Sequence, residues 1–128
     1  MFDLEKLFDN LFPICRSITG DGYRKSLYLI KNFIPFKKYK YPTAKKVFDW
    51  QIPKEWNVKD AYIENLLGKR IVDFNQNNLH LMSYSVPINK VISLKELNKN
   101  LHSKKNLPNH IPYVTSYYKK NWGFCLTN

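Results

Sequence analysis

Cysteine is scarce in this 128-residue chain: Cys15 and Cys125, near its opposite ends, are the two that occur. Two thiols are too few for a disulfide framework, so reduced, buried cysteines are expected. Long apolar runs are missing as well. No stretch approaches the roughly 20 consecutive apolar residues that cross a bilayer, and Asp3, Glu5 and Asp9 stand where a secretory signal is basic and then apolar. The reading is a soluble, cytoplasmic protein without a membrane partner.

Metal-ligand spacings are absent too. There is no H-x-x-x-H and no C-x-x-C, and His80, His102 and His110 stand apart from one another, so they read as core or surface histidines rather than ligands. The link Ser17-Ile18-Thr19-Gly20-Asp21-Gly22 precedes a helix but holds no P-loop Lys-Ser/Thr and no G-x-G-x-x-G, and Asp21 would repel an anion. Cys15, followed by Arg16, has no visible triad, and a buried thiol between two helices is preferred to an activated thiolate. No catalytic or metal-binding residue is assigned in this chain.

Acidic residues are few, 10 Asp+Glu against 21 Lys+Arg, which leaves a formal net charge of +11. The surplus is mostly lysine and is spread along the chain: 12 basic against 8 acidic residues up to position 64, and 9 against 2 beyond it. It forms no basic tail. Lysines interleaved with aromatics, as in Tyr39-Lys40-Tyr41 and Tyr117-Tyr118-Lys119-Lys120, offer an alternative reading, a basic module for nucleic acid or an acidic polymer. Alternation alone accounts for the same pattern as a sheet with rings facing in and lysines facing out, and nucleic acid is the less favoured partner.

What is present is enough apolar side chain for a core: 44% hydrophobic and 16% aromatic residues exclude a disordered chain, and the length suits one ordinary domain or two small ones. Leu4, Leu7, Phe8, Leu11 and Phe12 line one helical face that ends at Pro13. Tyr23, Leu27, Ile30 and Ile34 predict a second helix, with Thr19 or Asp21 as N-cap and Pro35 as stop. From about Phe36 the period shortens to alternate positions, through Tyr39 and Tyr41, then Phe48, Trp50 and Ile52, which predicts half-buried strands with the rings around Asp49 in the core. Ala61 to Ile63 and Arg70 to Phe74 flank a turn at Asn65-Leu66-Leu67-Gly68, a hairpin pattern. Leu79 to Ser85 predicts a strand closed by Pro87, and Ser93-Leu94-Lys95-Glu96 a capping box that opens one short helix. His102 to Asn109 reads as a loop, followed by strands at Tyr113 to Tyr118 and Trp122 to Leu126 around Lys119-Lys120-Asn121. An apolar strand so close to the last residue makes the chain look unfinished.

Several strings are more specific than any periodicity: Leu11 to Gly22 (LFPICRSITGDG), Val47 to Trp50 (VFDW), Pro53 to Ile63 (PKEWNVKDAYI), Ile111 to Tyr118 (IPYVTSYY) and Trp122 to Cys125 (WGFC). Together they resemble the N-terminal part of a bacterial family of aminopeptidase-like proteins that carry a domain of unknown function. The resemblance runs over nearly the whole chain. It implies a zinc-aminopeptidase-type α/β domain, a smaller β-rich domain inserted after its first helices, a C-terminal winged helix and an association with polysaccharide biosynthesis. On that pattern the chain is α+β, an N-terminal helical pair followed by a β-rich inserted domain with one short helix. Residues 1–37 are then the opening helices of the peptidase-like domain and 38–128 the inserted domain, incomplete at its C-terminal end. Pro42-Thr43-Ala44-Lys45 departs from the Ser-Gly turn more usual there.

The resemblance places the zinc ligands later in the sequence, so zinc belongs to the full-length family and no cofactor to this chain. A peptide-like substrate is implied for the complete protein, as is a separately encoded remainder as partner if the short chain is a product in its own right, with the C-terminal apolar strand at the interface. The inserted domain would shape or cover the active-site cleft, and the chain alone would be inactive. Arg16, Asp49, Trp50, Tyr118 and Trp122, polar and aromatic groups near predicted turns, are the candidates for contact with that cleft.

Overall fold

A computed structural model describes residues 3–128; Met1 and Phe2, which begin the segment predicted as opening helices, lie outside the described residues. The chain is α+β, with the helical pair at its N-terminal end. It divides into two compact units, Met1–Asn57 and Val58–Asn128.

In the first unit, α1 (Leu4–Leu11) is capped by Asp3, whose Oδ1 accepts from the Lys6 N–H at 3.0 Å, and Glu5 adds a carboxylate to the first turn. Phe12 closes the helix just before Pro13. The second helix, α2 (Asp21–Lys31), starts at neither predicted cap. Its N-cap is Gly20, at φ 113 and ψ −176, which has no side chain to offer the open N–H groups. The α1 and α2 helices pack against each other.

The predicted strand at Tyr39 and Tyr41 does not form, and their rings are exposed at 73% and 61%. A strand needs a ladder partner, and Pro42 next in line has no N–H to donate to one. Pairing begins instead with a hairpin of β1 (Lys46–Val47) and β2 (Trp50–Gln51), extended by Ala44 N–H to Ile52 O at 2.8 Å and Ile52 N–H to Lys45 O at 3.0 Å. Phe48 and Asp49 make its two-residue turn. The expectation that these rings are core is overturned: Phe48 is 97% exposed and Trp50 half exposed, because a turn residue at the tip of a two-strand hairpin has no second layer over it.

In the second unit, β3 (Tyr62–Glu64) and β4 (Arg70–Asp73) form the predicted antiparallel hairpin, in register Tyr62↔Asp73 and Ile63↔Val72 with an irregularity at Ile63/Glu64. Asn65 Oδ1 accepts from the Leu67 and Lys69 N–H groups, and Gly68 takes φ 77. Leu79 to Ser85 is only partly extended: a 3-10 turn at Asn78–His80 leads into isolated bridges, Leu81 with Phe124 and Ser83 with Thr115. The capping box opens α3 (Leu94–Leu97) as predicted, with Ser93 as N-cap and Glu96 reaching back to its N–H. A second 3-10 turn, Asn98–Asn100, continues it.

The predicted closing hairpin is replaced by a longer-range arrangement. Leu101–His102 (β5) pairs in parallel with Phe124–Cys125 (β6), and Thr115 goes to Ser83 instead. Val72, Met82, Phe124 and Cys125 are the buried apolar core of this unit, with Cys125 fully enclosed. Phe124 and Cys125 of the C-terminal strand are thus themselves covered. Backbone bonds from Met82 to Gly123 (3.0 Å) and from Ser83 to Val114 (2.9 Å) tie its neighbours down.

Candidate functional site

The segment from Cys15 to Gly22 is tightly constrained at its glycines. Gly22 brings α2 so close to the preceding link that an added Cβ would lie 1.9 Å from the Cys15 carbonyl oxygen. Gly20 combines a left-handed φ of 113° with a similar approach, its hypothetical Cβ 2.5 Å from Trp56 O. The free helix N-terminus is served from far along the chain: Asn57 Oδ1 accepts from the Asp21 N–H at 2.7 Å. Arg24 completes the tie, donating to Asp21 Oδ1 at 2.6 Å and, through both terminal nitrogens, to the two Glu55 oxygens at 2.6 and 2.7 Å. The Asp21 N–H, one donor that a phosphate at this terminus would need, is already taken by a side-chain acceptor.

Between the helices lies a cleft of about 480 Å³ whose lining includes Asp9 and Asn10 of α1, Cys15 of the link, and Lys25 and Leu29 of α2. Cys15 is half-buried and unpaired with Cys125, and burial pushes its thiol pKa up. A nucleophilic thiolate needs the opposite displacement. Cys125 is held up in the same way by desolvation.

The second unit carries a polar knot and an aromatic cluster. Arg70 bridges Asp73 and Asp60, each at 3.0 Å, and lies 3.8 Å over the Tyr62 ring. Asp73 also accepts from the Asn75 N–H at 2.9 Å, and this bond together with Arg70 lowers its carboxyl pKa. Tyr117 stands edge-on to both Tyr84, at 4.9 Å, and Tyr118, at 4.6 Å.

Of the residues singled out as cleft candidates, Arg16, Asp49 and Trp50 fall in the first unit, and Tyr118 and Trp122 in the second. Arg16 donates to Leu11 O at 2.7 Å and holds the end of α1. Asp49 and Trp50 are neighbours at the β1–β2 turn. Tyr118 is 91% exposed beside Tyr117, and half-buried Trp122 has the Lys90 ammonium 5.3 Å from its ring centre. These placements do not by themselves assemble one cleft. Sequence reasoning missed Arg24 and Asn57; the Glu55-Trp56-Asn57 string was the available signal, but nothing local says that it caps a helix 36 positions earlier.

The histidines do not fit a zinc site. His80 Nδ1 is 2.8 Å from Cys125 O, and His102 Nε2 is buried, without a hydrogen-bond partner, against the backbone at Gly123. Among the described residues no three His, Cys, Asp or Glu side chains converge as metal ligands. No helix among them is long and apolar enough to cross a membrane.

With this geometry in place, comparison decides the family. A profile described as "Domain of unknown function (DUF2172)" matches residues 55–128. The chain belongs to the DUF2172 family. The matched segment holds the whole second unit and the Glu55–Asn57 string that locks α2. Over 125 residues the DUF2172 chain is 52% identical to a Clostridium acetobutylicum protein provisionally named a polysaccharide biosynthesis protein with aminopeptidase-like domain. That match takes in 98% of this chain and 29% of the relative. A crystal structure of a provisionally assigned peptidase from Clostridium acetobutylicum matches with a TM-score of 0.91 and 53% identity, over 95% of this chain and 29% of that one. The DUF2172 chain therefore spans less than a third of the length of these relatives.

Proposed function

We propose that this chain is the N-terminal part of an aminopeptidase-like protein, in which residues 1–37 open the peptidase-like domain and 38–128 form an inserted domain that shapes or covers the active-site cleft. The observation that carries this reading is 52% identity across 98% of the chain to a protein named for an aminopeptidase-like domain. The reading extends to hydrolysis of a peptide-like substrate by the complete, cytoplasmic protein, with zinc bound by residues outside positions 1–128. Among the described residues no donor set holds that ion. Alone, the chain binds and orients but does not cleave.

Arg16, Asp49, Trp50, Tyr118 and Trp122 are the proposed contacts with the cleft. The exposure of Arg16, Asp49, Trp50 and Tyr118, and the mix of charge, ring and indole across the five, suit a surface that meets a polar substrate. Alanine substitutions at the five positions, in a full-length relative with this segment grafted in, are expected to lower kcat/KM; unchanged kcat/KM for all five removes them from the cleft. For the whole reading, zinc content and aminopeptidase turnover are measured on the purified chain alone and mixed with the polypeptide corresponding to the rest of the relative. A folded chain that binds no zinc and gains activity only with its partner agrees with the proposal. Stoichiometric zinc or turnover from the chain alone overturns it.

A further inference from the structure

Tyr84 stands in left-handed backbone, at φ 64. It is the third residue of a turn closed by the Ser85 N–H on Met82 O at 3.2 Å, a position where glycine or asparagine is usual because a Cβ there is pressed against the following carbonyl. The strain is imposed from both sides. Ser83 N–H donates to Val114 O and Ser83 O accepts from the Ser116 N–H, each at 2.9 Å, Ser116 Oγ donates to Tyr84 O at 3.1 Å, and Val86 N–H reaches Asn121 O at 2.9 Å. All four bonds run to the segment 114–121, which carries Tyr117 and Tyr118. A bulky residue kept in such backbone by its surroundings marks a place where the side chain is worth more than the conformation costs. The Tyr84 ring stands edge-on to Tyr117, at 4.9 Å and 87°, and Tyr117 stands edge-on to Tyr118, at 4.6 Å and 89°. Two half-buried rings thus back a third that is 91% exposed.

We propose that Tyr84 is a positioning residue: through Tyr117 it fixes the Tyr118 ring as the floor of a binding face for a peptide-like ligand that carries carboxylates. The inference deepens the reading of Tyr118 as a cleft contact and rests on that reading for the peptide. The charge selects the carboxylates. Residues 74–128 hold seven lysines and one acidic residue, Glu96, and Glu96 is engaged in the capping box of α3. Lys119 and Lys120, both exposed, follow Tyr118 directly, on a turn closed by the Lys119 N–H to Ser116 O at 3.0 Å. The tyrosine offers a ring face to the aliphatic part of such a ligand while the ammonium groups meet its carboxylates. Lysine is depleted where protein surfaces pack together, so this face suits a ligand from solution better than burial against another domain.

The test titrates the 128-residue chain with the tripeptide Glu-Leu-Glu and, separately, with Lys-Leu-Lys, reading the dissociation constant from the Tyr118 ring resonances. The acidic peptide is expected to bind, more weakly as salt is raised, and the basic one is not. Tyr84→Gly relieves the backbone and removes the ring; it is expected to raise the dissociation constant about fivefold or more while the chain stays folded, and Tyr84→Phe to restore it. In a full-length chimera, the Clostridium acetobutylicum relative with its matching segment replaced by this chain, the same glycine variant is expected to raise KM for an acidic peptide and leave kcat unchanged. Undiminished binding by Tyr84→Gly, a glycine variant that does not fold, or equal binding of the two peptides overturns the proposal. Tighter binding of a single-stranded oligonucleotide than of the acidic peptide assigns the face to nucleic acid and overturns it as well. No peptide binding by a chain whose chimera hydrolyses peptides overturns the inference and spares the proposed function. A chimera without turnover, beside Tyr84-dependent binding by the chain, removes that function and upholds the binding face.

Discussion

Arg24 grips Glu55 through both guanidinium nitrogens, at 2.6 and 2.7 Å, although 31 positions separate the two residues. With the Asn57 cap on Asp21, this bidentate pair ties the start of α2 to the string that follows the β1–β2 hairpin. The helix thus depends for its N-terminal order on residues encoded well after it. Its sequence offers Gly20 where a Ser, Thr or Asp cap is usual, and the missing acceptor comes from Asn57.

Removing that acceptor isolates its contribution. Asn57→Ala is expected to cost about 1 kcal/mol, the usual cost of a lost N-cap, seen as a lower urea midpoint at unchanged slope. Asn57→Asp, which keeps an acceptor near the helix N-terminus, is expected to retain the midpoint.

Gly22 of the link and Gly68 of the β3–β4 turn are required for two different reasons. Gly22→Ala places a methyl 1.9 Å from the Cys15 carbonyl oxygen and is expected to destabilise by more than about 2 kcal/mol or to prevent folding of the helical pair. Gly68→Ala is the control. Its Cβ enters open space, so only the φ of 77° opposes it, a cost of about 1 kcal/mol. Equal effects in thermal melts would contradict this ranking.

Two residues occupy left-handed backbone without being glycine in the hairpin region, Ala44 at φ 67 and Phe48 at φ 54. Ala44 lies in the stretch where the resembled family more often has a Ser-Gly turn. Ala44→Gly and Phe48→Gly are each expected to raise stability by up to about 1 kcal/mol, seen as a higher urea midpoint, since Phe48 at 97% exposure loses no packing. A drop for Phe48→Gly would show that its ring is held by something in solution.

Acid should weaken the second unit through Asp73. The Asn75 N–H and Arg70 hold its carboxyl below the ordinary 3.8, so the folded state binds this proton less readily than the unfolded chain. The stabilisation is complete above pH about 4–5 and is lost as pH falls below 3.8 toward the folded value. Glu55, lowered from 4.5 by Arg24, acts in the same direction in the first unit. Urea midpoints measured between pH 6 and about 2.5 should therefore fall, and Asp73→Asn should flatten the curve while lowering its plateau.

The two thiols should label at different rates. Burial raises both pKa values, but Cys15 is half-buried whereas Cys125 has no exposed surface. At mildly alkaline pH a thiol reagent is expected to modify Cys15 slowly and Cys125 only on the timescale of unfolding. Rapid modification of Cys15 would be the sign of an activated thiolate.

What the amino-acid sequence determined by itself is what depends on near neighbours. The 3.6-residue period of Leu4, Leu7, Phe8 and Leu11 makes α1, Ser93 and Glu96 close a capping box three positions apart, and Asn65 to Gly68 turns one strand back on the next. The strings from Leu11 to Cys125 were also legible as a family pattern. Partners many positions apart were decided by the tertiary structure. Nothing near Gly20 announces Asn57, and nothing near Trp122 announces that Phe124 and Cys125 pair in parallel with Leu101 and His102. The candidate site was less legible still, because the exposure of Trp50 and Tyr118 depends on which surfaces face them, and alternation records only that a ring points to one side. Local backbone preference sets helices and turns within a few residues, whereas burial and pairing are settled only when distant segments compete for the same space.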